Sequence, residues 1–460
     1  MAAESGPNYP GGSQPADGAV SEMALVAPRR PKARELQRKL WAAAKRSPNR
    51  RFHALHDRIW RGDVLREAWK RVRKNKGAAG IDQVTLAAVE EYGAERLLVE
   101  LQRDLREGTY RPSPARRVDI PKPTGGKRPL GIPTVRDRIA QQAARLVLEP
   151  IFEAGFSDAS HGFRPRRSAI DAMEKLRKGF TGGRVWALDA DIRDFFGSID
   201  HELLMEKVAE RVADRRVAKL IRKWLRAGVM EAGAYRQTVA GTPQGGVISP
   251  LLANVYLHAL DLAFKGDSHG LLVRYADDFV VLCRSESEAR AAEAKAREIL
   301  ASLGLELHPD KTKVVDLREG REGFDFLGCH FRARASGRLL ERGIRRYYLH
   351  RWPSARAMKS IRAKVKAKTG ASRVGASDIR EVIADLNPLL RGWGNYFRYG
   401  NAAEKFTEID RYVAWRVVRL LVKRHGGSPR AGQIERWNRQ WLGEMGLYRL
   451  TGTIRYVGTA

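Results

Sequence analysis

From Lys32 to Glu107, apolar residues return at helical spacing. In WRGDVLREAWKRVRKN, Trp60, Val64, Leu65, Ala68, Trp69 and Val72 share one face, which predicts an amphipathic helix. A short loop, KGAAGID, interrupts this region. The stretch RPSPARRVDIPKPTGGKRPLGIPTVRDRIAQQAARLVLEPIF then predicts a strand, a Gly-Gly turn, a second strand and a helix beginning near Thr134. RVWALDADIRDFFGSIDHELLMEKV repeats the strand-to-helix passage. In GTPQGGVISPLLANVYLHALD a Gly-rich loop opens a helix, and LLVRYADDFVVLC sets two apolar arms around a polar tip, the pattern of a hairpin. Strands mixed with long helices over residues 110 to 330 predict an α+β domain.

The last 120 residues carry a different pattern. Residues 341 to 460 hold 25 Lys and Arg against 9 Asp and Glu, half of the chain's net charge of +32. Fourteen aromatics, five of them Trp, lie among helical stretches such as IDRYVAWRVVRLLVKRHGG. Such a composition suits backbone neutralisation and stacking on unpaired bases, although many of these rings are expected in a helical core.

Composition narrows the class of partner. A chain of 460 residues with 43% hydrophobic positions and a pI near 10.5 is a globular protein built for a polyanion. Nucleic acid is the expected partner. A membrane is not, because no apolar run approaches the roughly 18 residues of a spanning helix. Cys283 and Cys329 stand alone, so neither a disulfide framework nor a Cys-x-x-Cys zinc site is expected, and a reducing cytoplasm fits. Residues 1 to 31 lack an apolar signal core and are expected to form a disordered leader.

Asp277 and Asp278 in YADD repel each other unless a cation lies between them, and hard cations such as Mg²⁺ favour carboxylate oxygens. An Asp-Asp pair can also simply cap a turn. A third carboxylate is offered by WALDADIRDFF, where alternation places Asp189 and Asp191 on one strand face and spacing alone does not choose between them. Two metals roughly 3.5 to 4 Å apart on such aspartates form an apparatus for in-line phosphoryl transfer.

Together, YADD, ALDADIRDFFGSIDH, SHGFRPRRSAIDAM and GTPQGGVISPLLANVYLHALD resemble the reverse transcriptases encoded by bacterial group II introns. The resemblance extends through GKRPLGIPTVRDRIAQQAARLVLEPIFE, LGLELHPDKTKVVD, FDFLG and LRGWGNYFRYGN, and spans about residues 50 to 460. It implies a right-hand polymerase: fingers with an N-terminal extension over 50–180, a palm with the catalytic aspartates over 181–330, and an all-α, basic thumb or maturase domain over 341–460. It implies an RNA-directed DNA polymerase that copies intron RNA into DNA and assists its splicing. The expected partners are group II intron RNA, a DNA primer or target and dNTPs, with the protein joining the nucleoid when bound to DNA. Two Mg²⁺ ions are the implied cofactors, with Mn²⁺ a possible substitute.

The same resemblance assigns residues. The family's first-block metal aspartate directly precedes the Ile of DIRDFF, which selects Asp191 beside Asp277 and Asp278. Phe196 matches the ring set against the sugar 2′ position, or is a core Phe. Lys122 and Arg128 match the fingers pair that grips the triphosphate, with Lys127 able to replace either. Gln244 matches the pocket-lining glutamine, and Lys311 is a candidate proton donor to pyrophosphate or a solvated lysine. Longer relatives carry a zinc-supported HNH endonuclease, whereas no cysteine follows Cys329 here, so target-strand cleavage is not expected. Two other expectations are a splicing cofactor without polymerase activity and a reverse transcriptase recruited to host defence or repair.

Overall fold

The computed structural model describes residues 33–121, 126–231, 234–236, 241, 245–266, 269–370, 375, 378–427 and 432–456. Lys122 and Gln244 lie outside the described residues, as does the side chain of Arg128. So does the expected leader over 1–31.

Helices open the chain. Gly62–Lys74 buries Val64, Leu65, Ala68 and Val72, with Trp60 and Trp69 packed at the margin, as its periodicity predicts. It lies against Val135–Glu153, a helix buried nearly all round, whose N-terminus is capped by Thr134 Oγ1 accepting from the Asp137 amide. Between them β1 (Ala115–Pro121) and β2 (Lys127–Ile132) form an antiparallel hairpin that pairs Ile120 with Arg128 and Pro121 with Lys127.

After the capped helix Ala169–Thr181 comes β3 (Trp186–Asp191). Next come β4 (Val229–Glu231) and β5 (Ala234–Arg236), which extend the first sheet to the order β2-β1-β4-β5. The helix Ser249–Ala263 leads into the hairpin β6 (Leu271–Tyr275) and β7 (Asp278–Cys283). Helix Glu286–Ser302 and β8 (Lys313–Asp316) complete a second sheet, β6-β7-β3-β8.

This second sheet is the middle layer of the molecule. On β3, Leu188 and Ala190 face one apolar core with the N-terminal helices, while Ala187 faces another. On β7, Phe279, Val281 and Cys283 join the first core, and Val280 and Leu282 the second. That double burial explains why DFVVLC is a continuous apolar run rather than an alternating one.

The second core continues into a third sheet of β9 (Gly323–Phe326), β10 (Cys329–Ala335) and β11 (Tyr347–Pro353), ordered β11-β10-β9. The basic C-terminal helices follow: Ala355–Lys368, Ile379–Phe397 and Ala403–Arg424. The segment from 341 onward, expected to be all helical, therefore begins with a strand. Its alternation is disguised because a buried position on β11 is filled by Arg351 rather than an apolar residue.

Arg351 is 5% exposed, lies 3.5 Å from the Glu174 carboxylate and donates to the Tyr399 carbonyl at 2.7 Å. It thus ties β11 to the helix Ala169–Thr181 and to the end of Ile379–Phe397. Glu174 keeps a second partner in Arg177 at 2.7 Å. Arg351→Met should therefore cost about 2 kcal/mol rather than the larger penalty of a stranded buried charge. Chemical denaturation of wild type and variant measures the difference, and Glu174→Gln should cost more, because it leaves the buried Arg351 guanidinium without a carboxylate.

Candidate active site

Pairing of β3 with β7 sets Asp191 directly opposite Asp278. Asp189 shares the Asp191 face two residues back, opposite Val280. Tyr275 pairs with Asp278 across the β6–β7 hairpin, so its turn is the two residues Ala276 and Asp277. The three sequence-predicted aspartates are thus brought to one end of the middle sheet's two inner strands.

The turn has an unusual residue at its first position. Ala276 has φ +61°, a region that L residues with a Cβ enter only at a cost, and glycine would be the ordinary choice there. The cost is met by Arg274, fully buried one residue before the strand ends. Its Nη1 donates to the Ala276 carbonyl at 2.8 Å and to Asn254 Oδ1 at 3.1 Å. Its Nε and Nη2 grip both oxygens of Asp261 at 2.7 and 2.6 Å, and Nη2 also reaches Ser160 Oγ at 2.9 Å. Burial alone would raise the Asp261 carboxyl, but the Arg274 guanidinium and His258 hold it below the usual carboxylate range.

The SHGF segment lies along this hairpin. Arg274 donates its amide to Ala159 O, and the His161 amide donates to Arg274 O, each at 2.8 Å. A Cβ on Gly162 would stand 2.4 Å from the Ala276 nitrogen, so only glycine fits against the turn. Asn254 Nδ2 donates to the Gly162 carbonyl at 2.9 Å. Sequence reasoning did not single out Arg274, Asn254, Asp261 or Gly162. The available signals were a charge within the apolar run LLVRY and two polar residues seven apart on a helix.

The carboxylates do not sit comfortably together. Burial pushes the Asp278 carboxyl well above its ordinary value, and repulsion from Asp189, Asp191 and Asp277 adds to it, with Lys311 opposing. Burial also lifts Asp189 to about 7, aided by Asp325 and Asp191 and opposed by Lys313. Asp191 carries Lys311, whose Nζ lies 2.5 Å from Oδ2. Lys311 is delivered there by LGLELHPDKTK, because the His308 amide donates to the Asp191 carbonyl and Ile192 bridges Leu307.

Among the described residues no three His, Cys, Asp or Glu side chains stand as a ready metal cage, and the Asp191 carboxylate carries a lysine instead. The chemistry of the donor set nonetheless fits a hard divalent cation: Asp191 and Asp278 face each other across paired strands, burial and the neighbouring acids raise the Asp278 carboxyl, and Asp191 already draws in a cation.

Phe196 follows β3 and is buried, its ring edge-on to Phe195 at 5.1 Å. Gly241, at φ +88°, lies so near it that a Cβ would stand 2.7 Å from the Phe196 carbonyl oxygen. His201 Nε2 bonds the Gly241 carbonyl at 2.7 Å. At the other end of GTPQGG, the Gly245 backbone runs against the Gly131 carbonyl of β2. The loop's two ends thus touch the middle sheet's DFF turn and the β1–β2 hairpin.

Comparison with known proteins places the chain in a family. A model of the reverse transcriptase (RNA-dependent DNA polymerase) family matches residues 120–331, and one of the group II intron maturase-specific domain matches residues 358–441. The chain is 38% identical over 338 residues to protein YkfC of Escherichia coli K12, covering 64% of this chain and 87% of that one. It is 41% identical over 213 residues to the group II intron-encoded protein LtrA of Lactococcus lactis subsp. cremoris, 46% of this chain and 35% of LtrA. It is 29% identical over 427 residues to an uncharacterised 91 kDa protein in the cob intron of Schizosaccharomyces pombe, spanning 51% of it. Among the described residues no helix is long and apolar enough to cross a membrane.

His161 supplies a pH prediction. Its ring is buried, neither nitrogen has a hydrogen-bond partner among the described residues, and burial lowers its pKa to about 4. Lys175, Arg167 and Arg164 lower it further, and Asp171 opposes them. An unfolded imidazole titrates near 6.5, so below that pH protons bind the unfolded chain first and stability falls until about pH 4. Thermal melting across this window should show a shallower decline in His161→Gln than in wild type.

Proposed function

This chain belongs to the group II intron reverse transcriptase/maturase family, and from that premise we propose that it copies intron RNA into DNA by two-metal phosphoryl transfer and assists splicing of that RNA. The observation that carries the polymerase half is the pairing of Asp191 opposite Asp278 with Asp277 on the adjoining turn. Asp191, Asp277 and Asp278 are the residues we assign to two Mg²⁺ ions, for which Mn²⁺ can substitute. Held by these carboxylates, such ions would supply Lewis acidity for the attacking 3′-hydroxyl and charge neutralisation for the leaving pyrophosphate.

The remaining roles fall to the chain's own side chains. Lys311 holds a proton at Nζ beside Asp191, and we assign that proton to the departing pyrophosphate. Phe196 is assigned as the ring that excludes a 2′-hydroxyl, a role supported by its place five residues after Asp191, just past the end of β3. Arg128, on β2, and Lys122, which follows β1 in the sequence, are assigned to the triphosphate, with Lys127 the alternative. Gln244, next to Gly245, is assigned to the wall of the base-pair pocket. Intron RNA serves as template and splicing substrate, with a DNA primer and dNTPs; the maturase half is supported by the match over residues 358–441.

Primer extension on an RNA template with Mg²⁺ and dNTPs tests the reading. Wild type should extend, Asp277→Ala should fall to background, and Phe196→Val should narrow the preference for dNTPs over rNTPs by about tenfold or more. Gly162→Ala, which displaces the turn without touching a carboxylate, should slow extension about a hundredfold while RNA affinity holds. No extension by a folded, RNA-binding wild type would overturn the polymerase assignment. Splicing of the parent intron at low Mg²⁺, at the same rate with and without protein, would overturn the maturase half.

A further inference from the structure

Most aromatics of the C-terminal region are structural. Trp393, Tyr396, Phe397, Phe406, Trp437, Trp441 and Tyr448 all belong to or pack against the second core. Trp415 does not: it is 50% exposed, on the outer side of Ala403–Arg424, whose opposite side buries Phe406, Ile409, Val413, Val417, Leu420 and Leu421.

Around that ring the helix gathers cations. The Arg416 and Arg419 guanidiniums lie 5.7 and 5.2 Å from its centroid, and Tyr412 packs beside it at 5.9 Å. Both arginines also line a groove between this helix and Ala355–Lys368, together with Lys366, Lys423, Thr369 and Gly370. Among the described residues no carboxylate lines this groove. About two turns towards the N-terminus of Ala403–Arg424 the charges are balanced instead, with Glu408 bonded to Arg362 and Lys405.

Arg416 is fixed in place. Its Nε donates to Thr369 Oγ1 at 2.9 Å and its Nη2 to the Thr369 carbonyl at 2.8 Å. This ordering suits recognition rather than solvation, because an anchored guanidinium loses less freedom on meeting a phosphate. A tryptophan left half in water between guanidiniums gains little for folding. It offers a flat surface of the kind on which unpaired bases stack.

We propose that Trp415 and the groove beside it bind single-stranded RNA, the ring stacking an unpaired base while Lys366, Arg416, Arg419 and Lys423 hold the adjoining phosphates. The site lies within the maturase-specific match and outside the polymerase match; it rests on the RNA-binding reading of the C-terminal domain and names where and how that domain takes RNA.

Filter binding of the full chain to an unstructured single-stranded RNA and to a blunt RNA duplex of equal length tests it. Trp415→Ala should weaken single-strand binding about fivefold or more and leave duplex binding unchanged, and Trp415→Phe should restore most of the loss. The double variant Arg419→Gln with Lys423→Gln should reduce the single-strand salt slope by roughly 1.4. Since Trp415 is half exposed, melting temperatures should match wild type and so exclude a folding defect. Unchanged single-strand affinity in Trp415→Ala, or an equal loss on duplex, would overturn the proposal. Binding is read apart from catalysis: a wild type that extends no primer but loses single-strand affinity on Trp415→Ala overturns the polymerase reading and keeps this one.

Discussion

The buried pair of Arg274 and Asp261 is the interaction on which the candidate active site depends. Arg274 is one of the largest side chains wholly removed from solvent, and its donors meet a carboxylate, an amide oxygen, a hydroxyl and the carbonyl of the turn. A buried ion pair is a poor device for stability alone, since desolvation offsets most of the attraction. It is a good device for geometry, because a rigid planar fork accepts few arrangements of its partners. Here those partners come from three separate stretches, around Ser160, on helix Ser249–Ala263 and at Ala276, and the result is a left-handed alanine held where the carboxylates need it.

That rigidity has an electrostatic counterpart. Strand pairing forces Asp278 against Asp191, with Asp189 and Asp277 close enough to raise its carboxyl further. A fold optimised for stability alone would not collect four acids at one end of two neighbouring strands. Lys311 relieves part of the repulsion by lying on Asp191. The arrangement is a strained site held in place by well-packed layers on both sides of the sheet, the usual exchange of stability for function.

Much of this was legible in the sequence where the governing contacts are short in range. The hairpin around YADD, the shared face of Asp189 and Asp191, the helix beginning near Thr134 and the helix after GTPQGG all follow from periodicity and local cap chemistry. What could not be read is what distant segments do to one another. Arg274 finds Ser160 and Asp261, and Lys311 finds Asp191 across 120 residues, through contacts that no local pattern encodes. β11 was hidden for a related reason: Arg351 occupies an inward position that is acceptable only because Glu174 waits there. The aromatic content of the C-terminal region was readable as a number, whereas its division into core rings and the exposed Trp415 needed the packing.

The central claim is that the carboxylates are held together against their own repulsion to receive a divalent cation. Thermal unfolding of wild type and Asp278→Asn at neutral pH, with divalent ions chelated and then with Mg²⁺ restored, tests it most directly. Without divalent ions the variant should be the more stable protein, because wild type must carry a raised carboxyl that the amide does not. Mg²⁺ should stabilise wild type and leave the variant unmoved. A variant that is less stable without divalent ions, together with a wild type indifferent to Mg²⁺, would show that Asp278 serves the fold rather than a metal.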